Sequence, residues 1–173
     1  MPREFTVSDN IVIDADAGAL YELISNPTRM HTWSPENLGA VVRTSPTKTY
    51  AGMQFDGYNQ RGRARWTTRC TVTAADIGRL FEFRVHSIGI TTPLIACAIA
   101  TWQYRFEPIA AGTTVTETWT DDRRGWPDFT VYLFDKIVTG GKTFADFQRG
   151  NIRKTLENMK TDIEFGPEKH LEA

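Results

Sequence analysis

Long apolar runs are absent from this 173-residue chain. No window approaches the roughly 18 consecutive apolar residues of a membrane-spanning helix, and the first residues lack the apolar core of a signal peptide. Basic and acidic residues nearly balance, at 20 and 21, and the net charge of −1 provides no general attraction to nucleic acid or to an anionic membrane. We therefore expect a cytoplasmic protein with no integral membrane association and no nucleic-acid partner.

Side chains that bind metals or act as nucleophiles are also scarce. The two cysteines, Cys70 and Cys97, stand in strand-like contexts without the spacing of metal ligands. The chain has no nucleophile elbow, no phosphate-binding loop, no zinc-protease motif and no Cys-x-x-Cys pair. We expect reduced cysteines, no metal and no cofactor, and the sequence does not support hydrolysis by a nucleophile, phosphoryl transfer or zinc chemistry.

The longest predicted helix covers residues 142–165. Apolar residues recur there every three to five positions and form one stripe, while charged side chains take the opposite face. Gly140 and Gly141 mark its start, and Gly166 followed by Pro167 predicts its end. A single apolar stripe needs a wall on which to pack, and the preceding chain supplies strands. The stripe consists of Phe144, Phe147, Ile152, Leu156, Met159 and Ile163.

Ahead of this helix, the pattern predicts one strand, two short helices and then six strands. The first strand covers residues 5–13, Asp16 caps the first short helix, and Asn26 with Pro27 starts the second. Short connections between the later strands indicate an antiparallel meander, and the length fits one domain, residues 1–173. The six strands are predicted at about 40–45, 53–61, 65–75, 79–89, 98–108 and 113–122.

Alternation within the strands separates an aromatic inward face from a polar outward face. The long helix is expected to cover the aromatic face. The default role of these aromatic residues is core packing, and they line a cavity only if the helix and the sheet stand apart. The inward set includes Trp66, Cys70, Val72, Phe81, Phe83, Val85, Trp102, Tyr104, Phe106, Val115 and Trp119.

Four polar residues share the inward parity, and burying an unpaired carboxylate is costly. Such residues should be paired, hydrated or used in function. Glu117 is the strongest candidate for an acid inside a cavity. The alternatives are a structural salt bridge with Arg61 or another basic residue, and a position in water at the rim of the sheet. The four are Asn59, Arg61, Glu117 and Asp121.

His31 is the second candidate for proton transfer, because it stands beside Trp33 at the end of the second short helix. The alternative is an ordinary surface or capping histidine. Residues 88–96 are apolar for a loop, which predicts that they fold over one end of a pocket. Residues 126–138 form an amphipathic segment, which is either a lid or a packed ancillary helix.

This order of elements resembles the helix-grip fold of the START-like superfamily, and several segments resemble the polyketide cyclase/dehydrase branch of the SRPBCC proteins. The resemblance covers almost the whole chain. It implies an α+β fold in which a curved antiparallel sheet of about seven strands wraps around the long C-terminal helix. The segments include Leu20-Tyr-Glu-Leu-Ile, Trp33-Ser-Pro-Glu, Phe55-Asp-Gly-Tyr-Asn, Trp66-Thr-Thr-Arg-Cys, Trp102-Gln-Tyr-Arg-Phe-Glu-Pro and Gly112-Thr-Thr-Val-Thr-Glu.

The resemblance also implies a deep cavity that binds a hydrophobic small molecule, such as a lipid, a sterol or an aromatic polyketide. Some relatives cyclise or dehydrate polyketides, others only bind or carry, and co-chaperone-like relatives fill the core and bind proteins; the fold alone does not decide among these. An enzyme would use Glu117 or His31 as its acid or base, and a homodimer stays open. The expected ligand-binding residues are Trp33, Phe55, Asn59, Arg61, Trp66, Phe83, Trp102, Tyr104, Trp119, Phe144 and Phe147.

Overall fold

Seven strands form one curved antiparallel sheet in the computed structural model, which describes residues 3–44, 47–139 and 141–166. The strands follow one another across the sheet as a meander from β2 to β7, and β1 pairs with the outer edge of β7. This arrangement confirms the predicted helix-grip fold. The strands are β1 (Thr6–Ile13), β2 (Asn37–Val42), β3 (Gln54–Arg61), β4 (Ala64–Asp76), β5 (Leu80–Gly89), β6 (Ile95–Ile109) and β7 (Gly112–Asp121).

The helices begin and end at residues whose chemistry explains the boundary. The α1 helix (Ala17–Ile24) starts after Asp16, whose carboxylate accepts hydrogen bonds from two backbone N–H groups of the first turn. A short 3₁₀ helix (Pro27–Thr32) follows the Asn26 cap. The α2 helix covers Asp128–Thr139.

The long α3 helix (Phe144–Phe165) begins two residues later than predicted, because the Thr143 hydroxyl accepts from the N–H of Asp146 and caps it. Gly166 ends it with a φ of 74°, a conformation that glycine adopts without strain. Gly140 and Pro167, which the sequence pattern predicts at the two ends of the helix, lie outside the described residues.

Two strand predictions need correction. The β2 strand ends at Val42 instead of extending to residue 45, and it begins earlier, where a bulge between Asn37 and Gly39 starts its pairing with β3. Residues 88–96 are not all loop, because Ile88 pairs with Ile95 and extends the β5–β6 hairpin.

The α3 helix lies along the concave face of the sheet, parallel to β1 and therefore antiparallel to β7. Arg153 pairs with Asp9 near the middle of β1, and the carboxylate of Glu164 accepts from the backbone N–H of Asp14 just beyond its end. Register shifts in three strand pairs bend the sheet around the helix. Within the described part of the chain, no helix is long and apolar enough to cross a membrane.

Candidate ligand-binding site

A cavity of about 510 Å³ lies between the concave face of the sheet and α3. Its wall is mostly apolar and aromatic, and its volume falls within the range of roughly 300–1,000 Å³ that is usual for small-molecule sites. The cavity reaches the surface at Ala64, Arg65 and Ile95, which are exposed, and we call this edge the mouth. Most of the predicted ligand-binding residues line it, namely Trp33, Phe55, Asn59, Arg61, Trp66, Phe83, Trp102, Tyr104, Trp119 and Phe144.

Two predicted site residues lie elsewhere. His31 is exposed on the 3₁₀ helix, whereas Met30 and Trp33 line the cavity. Because a 3₁₀ helix has three residues per turn, Met30 and Trp33 share one side and His31 points away from it. Phe147 lies outside the cavity lining, with its ring 3.8 Å from the guanidinium carbon of Arg61.

Glu117 lies on β7, lines the cavity, and is only 2% exposed. Its cross-strand neighbour Tyr104 donates a hydrogen bond from its hydroxyl to Glu117 Oε1 at 2.8 Å. Among the described residues, no group hydrogen-bonds to the buried Glu117 Oε2. The predicted salt bridge to Arg61 is therefore not the arrangement that the structure shows.

Burial raises the pKa of Glu117 to about 8, because desolvation of the carboxylate outweighs the hydrogen bond from Tyr104 that lowers it. Asp9, which faces Glu117 across the β1–β7 pair, raises it further. Burial also raises the pKa of Tyr104 well above its usual value, and the neighbouring Glu117 adds to this effect. At neutral pH the pair is therefore mainly uncharged, and Glu117 carries a proton that it can donate.

Arg61 is occupied by a different carboxylate, that of Glu36. Its Nε and Nη2 atoms contact both oxygens of Glu36, with the Nη2–Oε2 pair 3.0 Å apart. The guanidinium also lies 5.5 Å from the ring of Trp66 and 5.4 Å from that of Phe144. The sequence could not identify this partner, because Glu36 precedes β2 in an irregular segment, where no alternation separates inward from outward residues.

Three buried polar residues of α3 line the cavity and were missed in the sequence analysis. Gln148, Asn151 and Thr155 are at most 9% exposed. Asn151 Nδ2 donates to Gln148 Oε1 at 3.2 Å, and the Thr155 hydroxyl donates to the backbone oxygen of Asn151. Their spacing of three and four residues is a helical stripe, so the signal was present.

Asp121, the fourth inward polar residue, belongs to a buried ion-pair network at the end of β7. Burial alone would raise the pKa of Asp121, but hydrogen bonds from Arg123 and Arg3 hold that pKa below its usual value. Arg123 also donates to Asp135 of α2 at 2.8 Å, and Asp135 accepts from the backbone N–H of Phe144. These contacts fasten α2 and the start of α3 to the sheet, as expected of a packed ancillary helix.

Neither cysteine fits a nucleophilic or metal-binding role. Both are free, and burial raises the pKa of Cys70 to about 12, so that its thiol stays protonated. Among the described residues, no cluster of three or more His, Cys, Asp or Glu side chains could hold a metal ion. The chemistry of the cavity therefore depends on Glu117, Tyr104 and the α3 amides.

Comparison with known proteins agrees with this geometry. The family model "Polyketide cyclase / dehydrase and lipid transport" matches residues 4–164, whereas no curated protein matches the chain. The solution structure of the Polyketide_cyc-like protein Cgl2372 from Corynebacterium glutamicum is 26% identical, with 100% of this chain and 99% of that chain covered and a TM-score of 0.57.

Two further solved structures show the same fold at low identity. A START superfamily protein from Mycobacterium smegmatis has a TM-score of 0.66 at 10% identity, with 93% of this chain and 98% of that chain covered. The di-domain ARO/CYC StfQ of the steffimycin biosynthetic pathway has a TM-score of 0.65 at 13% identity, with 92% of this chain and 50% of that chain covered. The chain belongs to the polyketide cyclase/dehydrase and lipid transport family, and it has the START-like helix-grip fold of the SRPBCC proteins.

Proposed function

We propose that this protein binds a hydrophobic small molecule in the cavity between the sheet and α3. The observation that carries the proposal is a cavity of about 510 Å³ with an apolar wall and a few polar groups. Aromatic side chains such as Trp66, Trp102 and Trp119 would surround the apolar body of the ligand. Glu117 and its neighbours would contact its polar group, which fixes the orientation of the ligand.

A protein-interaction module with a filled core is less consistent with this structure. Such a module should contain only a small void, whereas the observed cavity exceeds the roughly 300 Å³ at which small-molecule sites begin. A cytoplasmic location, the lack of nucleic-acid binding and a homodimer stay predictions from the sequence.

The binding proposal is tested by titration with N-phenylnaphthylamine, a neutral dye that fluoresces in apolar surroundings. Ala100 lines the cavity and is buried, so Ala100→Phe places a ring inside it. Ala98 lies two residues away on the same strand and is exposed, so Ala98→Phe is the matched control. We expect one dye per chain for the wild type and for Ala98→Phe, and binding at least about tenfold weaker for Ala100→Phe, because the added ring takes up ligand space.

Circular dichroism should show that both variants are folded. Equal dye binding by the wild type and a folded Ala100→Phe would place the dye elsewhere and contradict the proposed site.

We infer a second candidate function, proton transfer to and from a bound carbonyl compound. The specific observation is the buried Glu117, whose Oε2 has no hydrogen-bond partner among the described residues and whose pKa of about 8 lies near the working pH of a cell. Of the cavity groups that could stabilise an enolate, Tyr104 contacts Glu117, whereas Arg61 pairs with Glu36 and Asn59 donates to the Gly57 carbonyl. The exposed His31 has no part in this candidate.

Deuterium exchange into a methyl ketone, followed by NMR in D₂O, tests this second candidate. The Glu117 carboxylate would remove a proton from the carbon beside the carbonyl, the C–H electrons would form the enolate, and the exchanged carboxyl would return a deuteron. We expect the rate of deuterium incorporation to rise as the pH increases through about 8, because the Glu117 carboxylate is then ionised. The Glu117→Gln variant should bind the ketone without incorporating deuterium into it. Undiminished exchange in Glu117→Gln would remove Glu117 from the mechanism.

A further inference from the structure

We propose that the inner polar cluster, formed by Glu117, Tyr104, Gln148 and Asn151, selects a neutral ligand with a hydrogen-bond acceptor such as a ketone and discriminates against a carboxylate. This inference rests on the proposed binding function and names the ligand class of that cavity. It predicts that neutral ketones and esters, and not free fatty acids, occupy the end of the cavity at which the inner polar cluster lies, which we call the inner end.

The placement of these residues follows from how α3 crosses β7. The ring of Phe144 stacks on that of Trp119, with the centroids 6.2 Å apart, and α3 then runs antiparallel to β7. One helical turn advances about 5.4 Å and two strand residues advance about 6.8 Å, so Gln148 and Glu117 come to a similar level. Both line the cavity, one from the helix and one from the sheet.

The hydrogen-bond pattern leaves two donors for a ligand, one on Glu117 and one on Gln148. Glu117 Oε1 accepts from Tyr104, so the protonated Oε2 is the oxygen that remains to donate. Gln148 Oε1 accepts from Asn151, so the Gln148 amide nitrogen is the group that remains to donate. A carbonyl oxygen has two lone pairs and can accept from both donors.

The cations that line the cavity already have carboxylate partners or lie at its mouth. Within the described residues, the basic lining residues are Arg61, Arg65 and Arg123. Arg61 pairs with Glu36, and the buried Arg123 pairs with two aspartates. Arg65 is exposed at the mouth, where it donates to Gln60. A ligand carboxylate at the inner end would lose its water without gaining an ion pair, which is unfavourable.

The preference for a ketone should depend on pH, since Glu117 donates only while it is protonated. The titratable groups that face it are Tyr104 on β6 and Asp9 on β1, and Asp9 pairs with Arg153 of α3. On its cavity side, α3 presents the uncharged amides of Gln148 and Asn151. Above a pH of about 8 the carboxylate can only accept hydrogen bonds, so the ketone preference should fall.

Three fluorescent probes that share one skeleton test the inference: acetyl(dimethylamino)naphthalene, its ethyl analogue and the corresponding naphthoate. Because a buried hydrogen bond with no competing water changes affinity by about tenfold, we expect the ketone to bind about tenfold tighter than the ethyl probe at pH 6.5. The naphthoate, which is anionic at that pH, should bind at least about tenfold weaker than the ketone. The emission of the bound ketone should also lie to the red of its emission in an apolar solvent, because a hydrogen bond to the carbonyl stabilises the excited state.

Two variants show whether Glu117 causes the preference. Glu117→Gln keeps a neutral donor and should keep the ketone preference at pH 6.5 and at pH 9, whereas the wild type should lose most of it at pH 9. Glu117→Met removes the Glu117 donor and leaves that of Gln148, so its ketone preference at pH 6.5 should fall well below that of the wild type.

Naphthoate binding as tight as ketone binding in the wild type would overturn the inference without any variant. An unchanged ketone preference in Glu117→Met would overturn the role of Glu117. Binding of the ethyl probe would still support the proposed function in both cases, whereas failure of all three probes to bind would refute the proposed function as well.

Discussion

Replacing Glu117 by glutamine should remove a pH dependence from the stability of the protein. The carboxyl group has a pKa of about 8 in the folded chain and an ordinary value of 4.5. The folded state therefore binds a proton that the unfolded state has released across this range, and stability falls as pH rises. The contribution is complete below pH 4.5, declines as pH rises toward 8, and is constant above that.

The magnitude follows from the linkage between proton binding and folding. Each pH unit inside the window changes the free energy of unfolding by about 1.4 kcal/mol, so the wild type should lose about 3 kcal/mol between pH 5.5 and pH 8 through this group. Glu117→Gln keeps the shape and an acceptor for the Tyr104 hydroxyl but cannot titrate. The variant should therefore become the more stable protein toward pH 8.

The assay is chemical denaturation of both proteins in matched buffers at several pH values from 5.5 to 8.5. The difference between the two free energies of unfolding cancels the other titrating groups that both proteins share. A difference that stays flat across this range, or that grows in favour of the wild type, would refute a buried and protonated Glu117.

Four other substitutions test contacts at the site and the backbone geometry of the fold. Tyr104→Phe removes the hydrogen bond to Glu117 and should lower the free energy of unfolding by about 1–2 kcal/mol and raise the pKa of Glu117 further; an unchanged carboxyl titration by NMR would contradict that contact. Arg123→Met leaves Asp135 without its arginine and Asp121 with Arg3 alone, and should destabilise by about 3–5 kcal/mol in urea denaturation, whereas a loss below about 1 kcal/mol would indicate that water replaces the arginine. Gly112→Ala should destabilise by about 2 kcal/mol or more, because its Cβ would overlap the backbone at the end of β1. Gly150→Ala, in open space on α3, should stabilise by about 0.5–1 kcal/mol. Thermal unfolding that ranks these two variants the other way would contradict the backbone geometry.

The fold was predictable because its elements are periodic in the sequence. Alternation in the strands identified the inward face, on which Trp119 and Tyr104 are indeed buried. The same parity placed Glu117 inside. Periodicity cannot supply the distance between α3 and the sheet, because that gap depends on how register shifts in three strand pairs bend the sheet. The cavity and its volume are therefore properties of the assembled fold.

Partners of the polar residues were the least predictable part of the site. Glu36 pairs with Arg61 across 25 positions of sequence, and a long-range contact from an irregular segment leaves no local pattern. Gln148 and Asn151 could have been identified, since they share the helix face that packs on the sheet. His31 was misleading because its neighbour Trp33 is in the cavity wall, and neighbours on a 3₁₀ helix point in different directions.

Native mass spectrometry of the protein purified from its own source, followed by denaturation and identification of any released compound, tests the central claim most directly. The cavity predicts one hydrophobic molecule per chain, carrying an uncharged oxygen group, and its loss from a folded Ala100→Phe variant. A measured mass equal to that of the ligand-free chain, with no mass shift after incubation with neutral ketones, sterols and lipids, would contradict the account.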